Sequence, residues 1–110
     1  SFSFTPLIAL EGFGICGPGE AGDWVLAGNA KLGGKLPMNT HGGLLRQAHL
    51  GAMHHIVEAA LQLRGEADDS DRGGGNHQVP GAKLAITNGS GGILAATSAL
   101  VLSSEPPSAA

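Results

Sequence analysis

The residues of this chain able to do chemistry are five histidines, one cysteine and several glycine runs. His49 stands out. It lies in Lys35–Val57 (KLPMNTHGGLLRQAHLGAMHHIV), where the loop Asn39-Thr40-His41-Gly42-Gly43 runs into a helical pattern. An imidazole titrates near neutrality, so it can take a proton from a hydroxyl or thiol and return it. Held as a hydrogen-bond donor at a developing oxyanion, it can contribute ~3–4 kcal/mol of transition-state stabilisation. The competing reading is a core histidine bonded to a carbonyl. His41 either lines a pocket or bonds its own backbone, and Asn39 fixes the loop.

Other combinations fit known chemistry poorly. His41, His49 and His54 have no tetrahedral-zinc spacing, and His54 and His55, being adjacent, point to different helix faces, so no metal is expected. Asp68, Asp69 and Asp71 suggest calcium, but counting twelve positions from Asp69 reaches Pro80 rather than a carboxylate, which leaves a solvated loop. Gly73-Gly74-Gly75 lacks the strand and Lys-Ser/Thr of a phosphate loop. Cys16, at a Gly/Pro turn, reads as a small buried hydrophobe. Gly89–Gly92 is either a wall offering backbone N–H groups or an ordinary hairpin turn.

The elements that must position these residues follow from periodicity. Thr5-Pro6 reads as N-cap and first helical residue of a short helix ending at Gly12–Gly14. Glu20 opens a second helix with Trp24, Val25 and Leu26 as its apolar side and Gly28 as its stop. Residues 29–37 read as an irregular crossing. Leu45, His49, Met53, Ile56, Ala60 and Leu63 predict a long, well-buried helix over 44–63, stopped by Gly65, with Glu58 and Gln62 off its apolar stripe. Glu66–Gly81 reads as a mobile surface loop. Strands are expected at Ala82–Thr87 and Ile93–Leu102, joined by a turn at Asn88–Gly92.

Composition narrows the partners. The chain has 110 residues, enough for about one small domain, and only 14% are charged, which points to surface covered by another polypeptide. A net charge of -3, one Trp and no Tyr argue against nucleic acid. No apolar run suits a membrane span. A lone cysteine fits a reducing compartment, and no signal peptide is evident, so a cytoplasmic setting is expected. The start at Ser1, without Met, reads as the middle of something longer.

Three collinear segments carry a resemblance: GFGICGPGEAGDWVLAG, KLPMNTHGGLLRQAHLGAMHHIVEAALQLRGEA and QVPGAKLAITNGSGGILAATSALVL. Together they resemble the C-terminal part of the thiolase superfamily, in its sterol-carrier or lipid-transfer (acetyl-CoA acetyltransferase-like) branch. The resemblance places the family's Gly-His-Pro histidine, which activates the nucleophilic cysteine and helps bind the thioester oxygen, on His49. The flanking Gly and Pro are not kept. The family's Cys-x-Gly motif falls on Thr87-Asn88-Gly89, without its cysteine. The Asn-Glu-Ala-Phe motif would end at Ser1-Phe2, and the reactive cysteine belongs to the N-terminal half. Cys16 does not match it.

The resemblance implies an α/β fold in which helices pack on a mixed sheet with few strands from this chain. Residues 1–102 would form the thiolase-like domain and 103–110 a flexible tail. It implies action on acyl-CoA thioesters in lipid metabolism, by carbon–carbon bond formation or cleavage, acyl transfer or retro-aldol. His49 would be catalytic, and Asn39, His41, Gly42, Gly43, Asn88 and Gly89 would bind substrate. CoA enters as part of the substrate, with no separate cofactor. A missing cysteine at Thr87 points away from thiolysis and toward the retro-aldolases of the branch, some of which carry a tyrosine that this chain lacks. The expected partner is an N-terminal thiolase half or companion subunit, in a homo- or hetero-oligomer. The alternative is a non-catalytic subunit that binds acyl-CoA or scaffolds a partner.

Overall fold

The computed structural model describes residues 4–43, 46, 51, 53–68, 77–92 and 95–106. They fall into two compact units, Ser1–His49 and Leu50–Ala110. The architecture is α/β, with helices and a small antiparallel sheet.

The first unit holds α1 (Thr5–Gly12) and α2 (Ala21–Leu26), packed on each other. Thr5 is the first helical residue rather than the cap. Phe4 takes the cap position and offers no side-chain bond. Its backbone is already helical (φ -83, ψ -17), where a capping hydroxyl needs an extended one. Leu10 is 1% exposed and anchors the interface, a burial that contributes about 1.5–3 kcal/mol. α1 ends at Gly14, at φ 75. There the Ile15 N–H donates to the Leu10 carbonyl and the Gly14 N–H to that of Glu11, a Schellman arrangement that satisfies the last carbonyls.

Two carboxylates then hold the turn. Glu11 accepts from the Gly19 N–H, and Glu20 accepts from the Gly17 N–H at 3.0 Å. α2 buries Ala21, with Trp24 half-buried, but leaves Leu26 86% exposed. Leu26 therefore leaves the expected apolar side, because it lies about 140° round the helix from Ala21. After Gly28 the Asn29 amide donates to the Trp24 carbonyl, and residues 29–38 fold back through bonds from Leu36 to Asn29 and Met38 to Ala30. A Cβ on Gly34 would collide with the carbonyl oxygens of Gly28 and Asn29, so this crossing needs glycine there.

The second unit holds α3 (Met53–Arg64) and the hairpin of β1 (Leu84–Gly91) and β2 (Ala96–Ser103). The continuous helix expected over 44–63 is not formed. Gly51 sits at φ 65, outside right-handed helix, so α3 starts beyond it. Residues 44, 45 and 47–50 lie outside the described residues, His49 among them. Gly65, at φ 73, stops α3 as expected, with the Glu66 N–H on the Leu61 carbonyl and the Gly65 N–H on that of Gln62.

The buried face of α3 is not the expected stripe. Glu58, Ala59 and Gln62 are buried, Ile56, Ala60 and Leu63 half-buried, and Met53 and Val57 exposed. A strap made of residues 66–68 and 77–79 explains the inversion, because it bonds to the polar side of the helix. Gln62 Nε2 donates to Glu58 Oε1 (2.9 Å) and to the His77 carbonyl (2.7 Å), while its Oε1 accepts from the Val79 N–H (2.7 Å). Gln78 returns the favour: its Nε2 donates to the Gln62 carbonyl and its Oε1 accepts from the Ala67 N–H, both at 2.9 Å. Asp68 Oδ1 accepts from the N–H groups of His77 (2.7 Å) and Gln78 (3.0 Å). The flanks of the expected mobile loop are thus tied down. The part of that loop over 69–76 lies outside the described residues.

β1 and β2 pair antiparallel from Leu84↔Ser103 to Gly91↔Ala96. Alternation puts Leu84, Ile86 and Val101 on one face and Ala85, Thr87 and Leu102 on the other. The first three are exposed and the second three half-buried, which marks the second face as the one packed on α3. The turn comes later than expected. Asn88–Gly91 belong to β1, and the chain reverses over 92–95, with Gly92 at φ 59 and the Ala95 N–H on its carbonyl. Glycines that suggest a turn here sit in a ladder whose partner strand is rich in Ala, Thr and Ser.

Candidate functional site

The backbone of the loop at 39–43 bends sharply. Asn39 takes the left-handed conformation at φ 49, with Gly42 at φ 96 and Gly43 at φ 71. Asn tolerates that region better than other residues with a Cβ, which is the physical reason for Asn at the head of this loop. The Gly42 N–H closes a turn on the Asn39 carbonyl at 2.8 Å. The Arg46 side chain lies over Gly42, and the Arg46 N–H donates to the Gly43 carbonyl at 3.2 Å. Gly43 is buried, and a Cβ there would rest 3.6 Å from Asn39 Cγ. His41 is half-buried, with Nδ1 shielded from solvent. Four of the expected substrate-binding residues, Asn39, His41, Gly42 and Gly43, therefore share one tight bend of the first unit.

Asn88 and Gly89 lie in the second unit. Both are half-buried inside β1, opposite Ala99 and Ser98, rather than at a loop tip. The expected turn at Asn88–Gly92 is corrected on this point, since Asn88 to Gly91 are strand residues. Thr87 precedes them on the face toward α3, paired with Leu100.

Cys16 is half-buried in the turn between α1 and α2. Partial burial, then the carboxylates of Glu11 and Glu20, push its thiol above the ordinary range. That disfavours the thiolate a nucleophile needs and agrees with its reading as a small packing residue. Among the described residues no cluster of three or more His, Cys, Asp and Glu is placed to hold a metal ion. No helix among them is long and apolar enough to cross a membrane.

The polar seam of Glu58, Gln62, Asp68, His77 and Gln78 escaped the sequence reading. Its signal was present as polar residues at positions 58 and 62 of α3, spaced one helical turn apart. They gain meaning only when the strap folds back onto them.

A family described as thiolase C-terminal domain-like matches residues 1–104. The chain belongs to this thiolase family. Among its relatives, the 17-hydroxy-3-oxo-4-pregnene-20-carboxyl-CoA lyase of Mycobacterium tuberculosis is 52% identical over 64 residues, which cover 56% of this chain and 17% of the lyase. Sterol carrier protein 2 of Bos taurus is 41% identical over 101 residues, covering 87% of this chain and 17% of that protein. Acetyl-CoA acetyltransferase of Methanothermobacter thermautotrophicus is 36% identical over 94 residues, 83% of this chain and 23% of the enzyme. The thiolase-like chain thus spans about a sixth to a quarter of the length of these relatives. The resemblance to the sterol-carrier and acetyltransferase branch agrees with these likenesses.

Proposed function

We propose that the complete protein cleaves the bond between the α-carbon and the hydroxyl-bearing β-carbon of a steroid side-chain CoA ester, by retro-aldol chemistry, and that this chain supplies His49. The observation that carries the reading is the 52% identity to a lyase named for a 17-hydroxy, 20-carboxyl-CoA steroid. Adjacent hydroxyl and carboxyl-CoA carbons make a β-hydroxy thioester. A base removes the hydroxyl proton, the C–O bond becomes a carbonyl, and the bond between the two carbons breaks. Its electron pair moves to the thioester as an enolate, and the α-carbon then takes up a proton. This needs one base and donors for the enolate oxygen, but no second cysteine. Thr87, where the family pattern has cysteine, is compatible with that requirement. His49 takes the base or oxyanion-donor role, and the bend at Asn39, His41, Gly42 and Gly43 and the strand at Asn88 and Gly89 contact substrate.

The rest of the active assembly comes from companion thiolase sequence, as a domain or a subunit. Leu84, Ile86 and Val101 form an apolar face that such a companion would cover.

The test is His49→Gln in the full-length protein, with turnover of a β-hydroxy steroid CoA ester as readout. We expect a loss well beyond tenfold with CoA-ester binding retained. A loss below tenfold, under about 1.4 kcal/mol of barrier, would sink the catalytic role. The likeness to sterol carrier protein 2 over 87% of the chain supports a second reading, a subunit that binds the acyl-CoA without converting it. Saturable binding with no turnover in the unsubstituted full-length protein would select that reading.

A further inference from the structure

Charge is spread unevenly along this chain. All nine carboxylates lie at or before Asp23 or at and beyond Glu58, so residues 24–57 carry Lys31, Lys35 and Arg46 and no acid at all. The fold does not bring acids to these cations either. Each of the three is exposed, and among the described residues none of them is in an ion pair. Arg64 and Lys83 of the second unit are instead held by Glu66 and Glu105. In the first unit Glu11 and Glu20 accept from glycine N–H groups rather than from a cation.

The three cations flank the bend at Asn39–Gly43. The Gly34 N–H closes on the Lys31 carbonyl at 2.9 Å, so Lys31 and Lys35 stand at the two ends of one tight turn. The bond from the Met38 N–H to the Ala30 carbonyl, also 2.9 Å, holds the neighbour of Lys31 against the neighbour of Asn39. After the bend, the Arg46 side chain lies across Gly42, where a Cβ would come within 2.6 Å of its Cδ. Glycine at 42 therefore makes room for the arginine.

We infer that Lys31, Lys35 and Arg46 form a cationic strip that takes the phosphate groups of the CoA moiety. This rests on the reading of the bend between them as a substrate-contacting segment. CoA carries a diphosphate and a further phosphate on its ribose, all far from the thioester along the pantetheine arm. A guanidinium offers a planar fork that matches two phosphate oxygens, and an ammonium acts as a point charge. Cations with no carboxylate partner can meet an anion without first giving up an ion pair. The strip binds and steers a polyanion, and it takes no part in bond cleavage.

The test is calorimetric titration of the full-length protein with CoA and with pantetheine, which has the thiol arm but no phosphate. At low salt, K31Q/K35Q and R46Q should each weaken CoA binding roughly fivefold or more and pantetheine binding by less than about twofold. Salt should weaken CoA binding to the unsubstituted protein, and both variants should flatten that dependence. R64Q removes an exposed cation of the second unit and controls for net charge, so its CoA affinity should stay within about twofold. CoA and pantetheine weakened alike, or CoA weakened as much by R64Q as by R46Q, would overturn the strip. The strip and the retro-aldol reading fail separately. A protein that loses CoA affinity in these variants but never cleaves a β-hydroxy CoA ester keeps the strip and loses that reading. A protein that cleaves the ester while both variants bind CoA normally keeps the reading and loses the strip.

Discussion

Each unit pins a loop with polar side chains, and the two do it by opposite means. In the first, exposed carboxylates reach glycine N–H groups across the turn at 17–20. In the second, two glutamines exchange bonds between helix and strap in a partly buried seam, with Gln62 itself 7% exposed. An exposed charge gives up good hydration for each bond, so its net gain is small. A buried amide already shielded from water has much to lose when its partner goes. The comparison teaches that the second unit depends on polar contacts, while the first depends on Leu10 and on glycine backbone.

The largest expected effect breaks the second clamp. Gln62→Leu removes the partner of the Val79 N–H and of the His77 carbonyl at once. Two part-buried groups left without that partner should destabilise the unit by about 2–4 kcal/mol, read from urea unfolding of the intact protein. A loss under about 0.5 kcal/mol would mean that water replaces the amide freely and that the contrast fails.

A smaller effect is expected from the carboxylate clamp. E11Q/E20Q together keep acceptor oxygens for the Gly19 and Gly17 N–H groups, so stability should fall by less than about 1 kcal/mol. The same pair sharpens the comparison through Cys16. Both carboxylates raise its thiol, so removing their charge should lower it and speed alkylation by iodoacetamide at mildly alkaline pH. An unchanged alkylation rate would leave partial burial as the sole cause.

The smallest effect should come from the exposed ion pairs. Lys83–Glu105 at 3.5 Å is well solvated, and Arg64–Glu66 at 3.2 Å is exposed on its arginine side with Glu66 half-buried. Arg64→Ala and Lys83→Ala should each change stability by less than about 0.5 kcal/mol. A larger loss at either would show that charge matters as much at the rim of the second unit as the amides do inside it.

Glycine made parts of this fold legible. Gly14, Gly28 and Gly65 end their helices in the left-handed region, as their places after apolar-periodic segments predict. Glycine also misled. Gly51 sits mid-pattern in an apparently continuous helix, and its φ of 65 breaks that pattern. Gly89 and Gly91, taken as turn residues, pair with Ser98 and Ala96 in the sheet. A glycine permits a left-handed or extended backbone equally well, so its neighbours in space decide which it adopts.

The candidate site divides in the same way. Asn39-Thr40-His41-Gly42-Gly43 could be recognised as a bend, because Asn and Gly at those spacings favour positive φ. The family could be recognised from three collinear segments. Periodicity and local backbone preference are properties of neighbouring residues, and a string of letters records them. The burial of Glu58 and Gln62, the place of His77 between two carboxylates, and the inclusion of Asn88 and Gly89 in a strand needed the folded chain. Each depends on residues 9 to 19 positions apart meeting face to face, and that encounter is fixed by packing, where solvation and hydrogen-bond satisfaction outweigh local propensity.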